Sequence, residues 1–592
     1  MKGNPVVIVD IDQAKNYLRS KLKNSIIIAL TPDALFFLKN KKIENVKSPF
    51  DLPSIKLHKK LVMQNIVLKK KITYLFNIEN KFSIFEKENL KNILLQINST
   101  INYLWLALPN TKFIYVFKKN KILKLKPFGA HSEILNYIFF KKMGIFKLAI
   151  PNSVYSFYYI KLFFNKIIFF INKRKIIFFI NEHNSFFEKI IKKISIKNKN
   201  SIFLSFEPNF NNKFYSLFFS TKNFIKSMLN LNNKLIVLSP HLKKSDLKKK
   251  EITRFLKKLN LKLIDSNLFL LSNFFSNTVS YLNSIDFFLS KSINKEKINS
   301  LITNYLTWGN ISVVGCFFKR NKKQVILASH GITLDNQNYH ASSELENLNL
   351  GLVSSPFATS IIAQSPSSYN CAKKNNSNKC KIIKSYPVMY NGYKLEKRVK
   401  SKSKTIKILY ANTYKVFASR PWIYETSFEF LENLKIVTDV VKRLNNVELL
   451  IKIRPNDELS LQTITDYIKP NKKIKIFTDG NIGTFMQKSE LLITGFSTII
   501  DEFLHLNKPV IVFGNKMRFQ PYNKYNKREN NDIKENLLKP IYYLNKKNIE
   551  TNLKLILPLI KKNKIKLKGV EKYIWSNNKN TLLNNFHKII EN

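Results

Sequence analysis

Short apolar runs alternate with stretches of helical spacing at both ends of this chain. At the start, Val6–Val9 reads as a buried strand and Ile11–Leu22 as a helix. Ser25–Leu30 repeats the strand pattern, and Pro32–Leu38 is a second helix opened by its proline. The pattern is clearest beyond residue 405. Apolar runs at Ile406–Tyr410, Val447–Ile453, Ile474–Phe477, Leu491–Thr494 and Val510–Phe513 predict strands. Helices are predicted between them, near Tyr424–Asn445, Leu459–Ile468, Gly483–Lys488 and Thr498–Leu506. In the first of these, Leu431, Leu434, Val437, Val441 and Leu444 keep one face. Apolar strands alternating with helices require a parallel sheet covered on both sides, with right-handed crossovers.

The middle is less regular. Thr111–Phe117, Lys234–Ser239, Ile311–Phe318 and Val325–Ser329 read as strands, and Lys248–Leu259 as an amphipathic helix. From about 340 to 404 the chain turns polar, with SSPF, QSPSS, NNSNK and KSKSK, and reads as a loop followed by a linker. This division gives an N-terminal Rossmann-like domain with insertions over 1–395 and a linker at 396–404. A C-terminal Rossmann-like domain follows over 405–520, and then a Lys/Asn-rich tail, 521–592, expected to be helical and to pack back on the body.

Composition changes this picture in three places. A length of 592 residues exceeds a single core. With 47 Phe and 25 Tyr the chain has apolar area enough to fold. The net charge of +61 would ordinarily point to nucleic acid or an anionic membrane. Here the lysines are dispersed, accompany abundant Asn and Ile, and sit in no nucleic-acid motif, so compositional drift is preferred and no nucleic-acid partner is expected. No stretch reaches the roughly 20 apolar residues that a spanning helix needs. The most apolar segment, Tyr155–Asn181, is broken by Lys161, Lys166 and the cations at 173–175; it reads as core strands, with an interfacial surface as the alternative. Asp10 and Asp12 break the opening as a signal peptide, and Cys371 and Cys380 lack metal spacing. A reduced cytoplasmic protein is expected.

In an open parallel sheet, ligands bind beyond the carboxyl ends of the strands. Those positions carry Asn412 and Thr413, then Arg454, then Gly495, Ser497 and Thr498, with Glu502 one turn further on. Gly495 permits a tight turn and close approach of a ligand. Ser497 or Thr498 can cap the following helix, whose amino end suits a phosphate, and Arg454 adds a fork of donors. Glu502 is placed to accept from sugar or ribose hydroxyls. In the N-terminal half His330 and Gly331 end a strand; an imidazole with a pKa near about 6.5 suits a general base. His340 and Glu344, in the loop beyond, are acceptor-side candidates. A capped helix with surface acids and a buried structural His are the plain alternatives.

The segment LLITGFSTIIDEFLHLNKPVIVFG at 491–514 resembles the donor-binding segment of transferases related to CDP-glycerol glycerophosphotransferases and capsule-polysaccharide transferases. Ser497, Thr498, Glu502 and Lys508-Pro509 match that pattern in turn, and His330-Gly331 is similar to the group's His-Gly pair. Arg454 stands where the group usually has His. The resemblance covers 405–515 and extends weakly back to 325. It implies a GT-B fold: two Rossmann-like α/β domains with helix-covered parallel sheets, facing a cleft. It further implies glycosyl or polyol-phosphate transfer from a nucleotide-activated donor to a glycan or lipid-linked acceptor in bacterial surface-polysaccharide synthesis. No metal and no cofactor beyond the donor are expected, and the implied place is the cytoplasmic face of an anionic inner membrane. A non-hydrolysing nucleotide-sugar epimerase and a non-catalytic relative of the same fold are the rivals.

Overall fold

The computed structural model describes residues 5–47 and 55–125 with short interruptions, 163–167, 175–180, 201–206, 234–238, 248–259, 265–306, 309–329, 351–375, 380–385, 405–412, 425–453 (save 426), 459–514 (save 496), 522, 539–561, 567–575 (save 568) and a few isolated positions. Three sheets organise these residues.

The first sheet is built from β1 (Val6–Ile8), β2 (Ile27–Ala29), β3 (Val46–Lys47), β4 (Ile114–Lys118) and β5 (Lys121–Leu125), in the order β3-β2-β1-β4-β5. Its strands are parallel except for the β4–β5 hairpin. Helix α1 (Ile11–Leu18) starts on Asp10, whose carboxylate accepts from Gln13 N–H. Helix α2 (Pro32–Asn40) starts on Thr31 with proline in its first turn, so both starts follow from side-chain capping. Two long helices, α3 (Ile55–Glu79) and α4 (Ile84–Ala107), lead on to β4.

The second sheet has the order β12-β11-β10-β9-β6-β7-β8, all parallel. Its strands are β6 (Ile176–Ile180), β7 (Ser201–Phe206), β8 (Lys234–Leu238), β9 (Ile298–Thr303), β10 (Gln324–Leu327), β11 (Ser360–Ala363) and β12 (Lys381–Lys384). Helices α5 (Lys249–Leu259), α6 (Asp265–Ser292), α7 (Asn310–Arg320) and α8 (Pro366–Lys374) belong to this part. The second sheet shares its core with α4 through Phe85.

Two expectations change here. Residues 311–318 are helical, not a strand: parallel β9 and β10 are neighbours, so a crossover must join them, and α7 is that crossover. Its Ile311, Val313, Val314, Phe317 and Phe318 are all buried, which hides the helical period. The polar stretch at 340–404 is not only loop, because it contains β11, α8 and β12. There Ser365 caps α8 ahead of Pro366, and the strands are only four residues each. Cys371 and Cys380 are buried free thiols within this region.

The third sheet is parallel throughout, in the order β15-β14-β13-β16-β17-β18. It comprises β13 (Ile406–Ala411), β14 (Val447–Lys452), β15 (Ile474–Phe477), β16 (Leu491–Thr494), β17 (Val510–Phe513) and β18 (Ile541–Leu544). Helices α9 (Ser427–Arg443), α10 (Leu461–Ile468), α11 (Ile482–Lys488), α12 (Ile499–His505) and α13 (Ile549–Lys561) accompany it. The segment expected to be a helical tail therefore also supplies a strand; IYYL pairs with β17 and is covered on both sides, so it carries no alternation.

Parallel sheets covered by helices are the architecture expected, and the second and third sheets are its two larger units. The separate first sheet was not foreseen: it docks on the third through Asp33, whose carboxylate accepts from Ser460 N–H at 3.1 Å, and through Phe36 against Tyr467. At the other end of the chain Trp575 packs edge-on to Tyr369, and the Lys384 ammonium lies over both rings. Among the described residues no helix is long and apolar enough to cross a membrane.

Candidate functional site

Numbered from its own first strand, the third sheet runs 3-2-1-4-5-6. The crossovers therefore reverse direction between β13 and β16, and it is beyond the carboxyl ends at such a reversal that open parallel sheets bind ligands. Asn412 directly follows β13 and Gly495 directly follows β16. The two touch. A Cβ placed on Gly495 would lie 2.7 Å from Asn412 Nδ2, so only glycine lets these strand ends approach as they do.

Asn412 itself is buried, and its amide donates to Glu425 Oε2. The other carboxylate oxygen, Oε1, accepts from the Asn433 amide of α9. Glu425 is 7% exposed, so a buried carboxylate stands beside the end of β13, gripped by two amides. Asn433 also approaches Gly514, whose φ of 148° follows β17. The buried carboxylate thus joins the end of β13 to α9, and its two amide partners stand beside Gly495 and Gly514, which follow β16 and β17. Burial, and then the charge of Glu425, push the Tyr410 phenol well above its ordinary range.

Helix α12 begins at the same rim. Ser497 Oγ accepts from Ile499 N–H at 3.4 Å, a long and weak cap. Thr498 occupies the cap position, is exposed, and makes no side-chain capping bond. In the first turn Glu502 is half-buried while Asp501 is fully buried. Asp501 Oδ1 accepts from the Tyr522 hydroxyl. Burial raises its pKa to about 8, the Tyr522 hydrogen bond opposes that rise, and the Glu502 charge adds to it. At neutral pH the Asp501 carboxyl is therefore predominantly protonated.

Lys508, read as part of a family pattern, has a structural place. Its ammonium is buried and donates to the carbonyls of Met486, Gln487 and Ser489, closing the carboxyl end of α11. Lys452 Nζ bonds Thr478 O at 2.6 Å, and burial lowers its pKa.

The structure thus brings Asn412, Gly495, Ser497, Thr498 and Glu502 to one rim. The Asn412 side chain is turned into the framework rather than toward solvent. Thr413, Arg454, His330, Gly331, His340 and Glu344 lie outside the described residues. His330 follows Ser329, whose carbonyl is held by the Gln364 amide beyond the end of β10. Glu425, Asn433 and Tyr522 were not foreseen. Their partners are 13, 8 and 21 residues away in sequence, and no local period marks them. Among the described residues no group of three His, Cys, Asp or Glu side chains is arranged to hold a metal.

Residues 299–549, from β9 to the start of α13, match the family described as CDP-glycerol:poly(glycerophosphate) glycerophosphotransferase. No curated protein sequence matches the chain. Among solved structures it is similar to the wall teichoic acid polymerase TagF, at 12% identity over 73% of this chain and 93% of that one, with a TM-score of 0.37. The lipopolysaccharide outer core galactosyltransferase WaaB is similar at 14% identity over 70% and 99%, TM-score 0.37. So is a putative UDP-N-acetylglucosamine 2-epimerase from Listeria monocytogenes, at 11% over 70% and 96%, TM-score 0.38. Likenesses this loose place no residue.

Proposed function

We propose that this chain transfers a glycosyl or polyol-phosphate group from a nucleotide-activated donor to a glycan or lipid-linked acceptor in bacterial surface-polymer synthesis. The observation that carries the reading is the third sheet's reversal point, where Asn412 and Gly495 meet inside the segment that matches the glycerophosphotransferase family.

In this reading the donor phosphates lie beyond Gly495, toward Ser497, Thr498 and the start of α12, with Arg454 supplying a second set of donors. The acceptor hydroxyl oxygen attacks the transferred group. For a sugar, the bond from the anomeric carbon to the diphosphate breaks and a nucleoside diphosphate leaves. For a polyol phosphate, the anhydride P–O bond breaks and a nucleoside monophosphate leaves. The acceptor proton passes to His330, or to an acid near Glu344. Glu502 accepts from a hydroxyl of the donor. Charge on the leaving group is met by Arg454 and the backbone N–H groups of α12, so the step is written without a metal and without a cofactor. The chain works at the cytoplasmic face of the inner membrane.

A thermal-shift screen of CDP-, UDP-, GDP- and CMP-linked compounds tests this. One class of nucleotide is expected to raise the melting temperature by mass action, and the rise is expected to vanish in Arg454→Ala and Ser497→Ala. Incubation with the stabilising donor alone separates the enzyme rival, because an epimerase converts a nucleotide sugar without any acceptor. Indifference to every nucleotide would leave only the non-catalytic reading.

A further inference from the structure

The solvent side of α3 is apolar where a helix on a protein surface would ordinarily be polar. Met63, Val67, Tyr74 and Ile78 are exposed at 43%, 62%, 65% and 59%. Their spacing of 4, 7 and 4 residues keeps them in one stripe along the helix. The opposite face, with Val62, Leu68, Ile72 and Phe76, is buried, so the stripe is not the core side of the helix. Lys70 and Lys71 are exposed on either flank of it.

Helix α5 lies against α3. Phe76 stacks on Phe255 at 4.6 Å, and Lys71 Nζ donates to Leu259 O at 2.9 Å. A buried carboxylate holds the group of helices together: Glu86 of α4 pairs with Lys248 at 3.0 Å, just ahead of α5, and accepts from Asn283 of α6. The buried face of α5 is Ile252, Phe255, Leu256 and Leu259. Its exposed side carries Lys250, Arg254 and Lys257, at i, i+4 and i+7, and Glu251 is the single acid in the helix. A row of exposed apolar side chains flanked by lysines therefore packs beside a helix whose outer face is cationic.

We propose that α3 and α5 together form a docking surface for an anionic lipid bilayer, with the apolar stripe entering the headgroup boundary and the cations meeting lipid phosphates. Charge selects the occupant. A zwitterionic or neutral surface would satisfy the stripe but not Lys70, Lys250, Arg254 and Lys257, whereas an anionic interface satisfies both. The dispersed excess of lysine over the whole chain cannot substitute, since it comes without the apolar row. This deepens the membrane location proposed above and stands on these two helices rather than on the donor site.

The test is co-sedimentation of the full chain with vesicles of phosphatidylcholine alone and of an equimolar mixture with phosphatidylglycerol. Binding is expected on the mixed vesicles only. Each cation near an anionic surface contributes roughly a fivefold factor to partitioning, so K250E/R254E/K257E is expected to weaken binding on the order of a hundredfold. The matched reversal K381E/K472E/K488E, at exposed lysines elsewhere, is expected to weaken it far less. V67S/Y74S/I78S is expected to abolish the binding that survives high salt. Equal loss from both charge reversals would overturn the proposal in favour of undirected charge. So would full salt-resistant binding by the serine variant, or self-association abolished by the same substitutions, which would make the face a protein contact. All positions are exposed, and unaltered melting confirms folding. The nucleotide thermal shift, measured on the same variants, is expected to persist; its loss in the parent chain would indict the donor site and leave the lipid result standing.

Discussion

The second and third sheets share one winding plan but finish their strands differently. Among the described residues, the buried polar groups beyond the ends of the second sheet are neutral: Thr303, Asn304, Ser329, Gln364, Ser365 and Ser385. They satisfy one another or the backbone, as when Gln364 Nε2 holds Ser329 O at 2.6 Å. Among the described residues, the third sheet buries ionisable groups in the corresponding zone. Glu425 is gripped by two amides, and Asp501 is held by Tyr522. Neutral pairs close a rim at low electrostatic cost. Buried ionisable groups create strong local fields and are maintained where a site must face a charged ligand. That difference accords with the donor site proposed on the third sheet.

The comparison can be broken first by pH. Asp501 has a folded pKa of about 8 against an ordinary 3.8. Between those values the unfolded chain has released the proton and the folded chain keeps it, so folding takes up a proton. Its contribution is complete below 3.8 and is lost as pH rises through 8. The slope reaches at most about 1.4 kcal/mol per pH unit. Urea unfolding at a series of pH values should show this decline, and Asp501→Asn should flatten it while retaining the Tyr522 bond. An unchanged slope in that variant would remove Asp501 from the argument.

Next in size is Glu425→Ala, which leaves two buried amides without their acceptor. It is expected to cost about 3 kcal/mol in chemical unfolding. Gln364→Ala, the neutral counterpart, is expected to cost about 1 kcal/mol. Equal costs would erase the distinction between the two rims. Gly495→Ala forces a Cβ to 2.7 Å from the clamped Asn412 amide, with an expected loss of about 2 kcal/mol. It should also suppress the nucleotide-induced thermal shift, which Gln364→Ala should leave intact. Lys508→Met, at the amino ends of β16 and β17 and away from this rim, is expected to cost about 1.5 kcal/mol and to leave the nucleotide shift intact, because its three carbonyl partners can recruit water at the end of α11.

Legibility along the chain followed the same divide. Five of the third sheet's strands could be read directly, because each is a short, mainly apolar run set between helices with one clear face. The sixth, β18, was hidden in a Lys/Asn-rich tail, since four residues covered on both sides have no period to detect. In the second sheet α7 is buried over nearly all of residues 311–318 and shows no polar face there, while α8 opens on serines. Both patterns mislead a reading based on amphipathicity. Of the candidate site, Gly495, Ser497, Thr498 and Glu502 were found because they follow a legible strand. Glu425 and Asn433 were missed because their meaning lies in each other.

The order of residues by itself determined the alternation of strand and helix, the parallel character that this alternation forces, and the short list of groups at strand ends. These are local matters of period, capping and chain reversal. Tertiary structure decided which strand ends meet, that Asn412 turns inward to Glu425, that Asp501 keeps its proton, and that the apolar row of α3 lies beside the cations of α5. Each of those depends on burial and on contacts between distant residues, and desolvation and pairing arise only once the chain has closed around them.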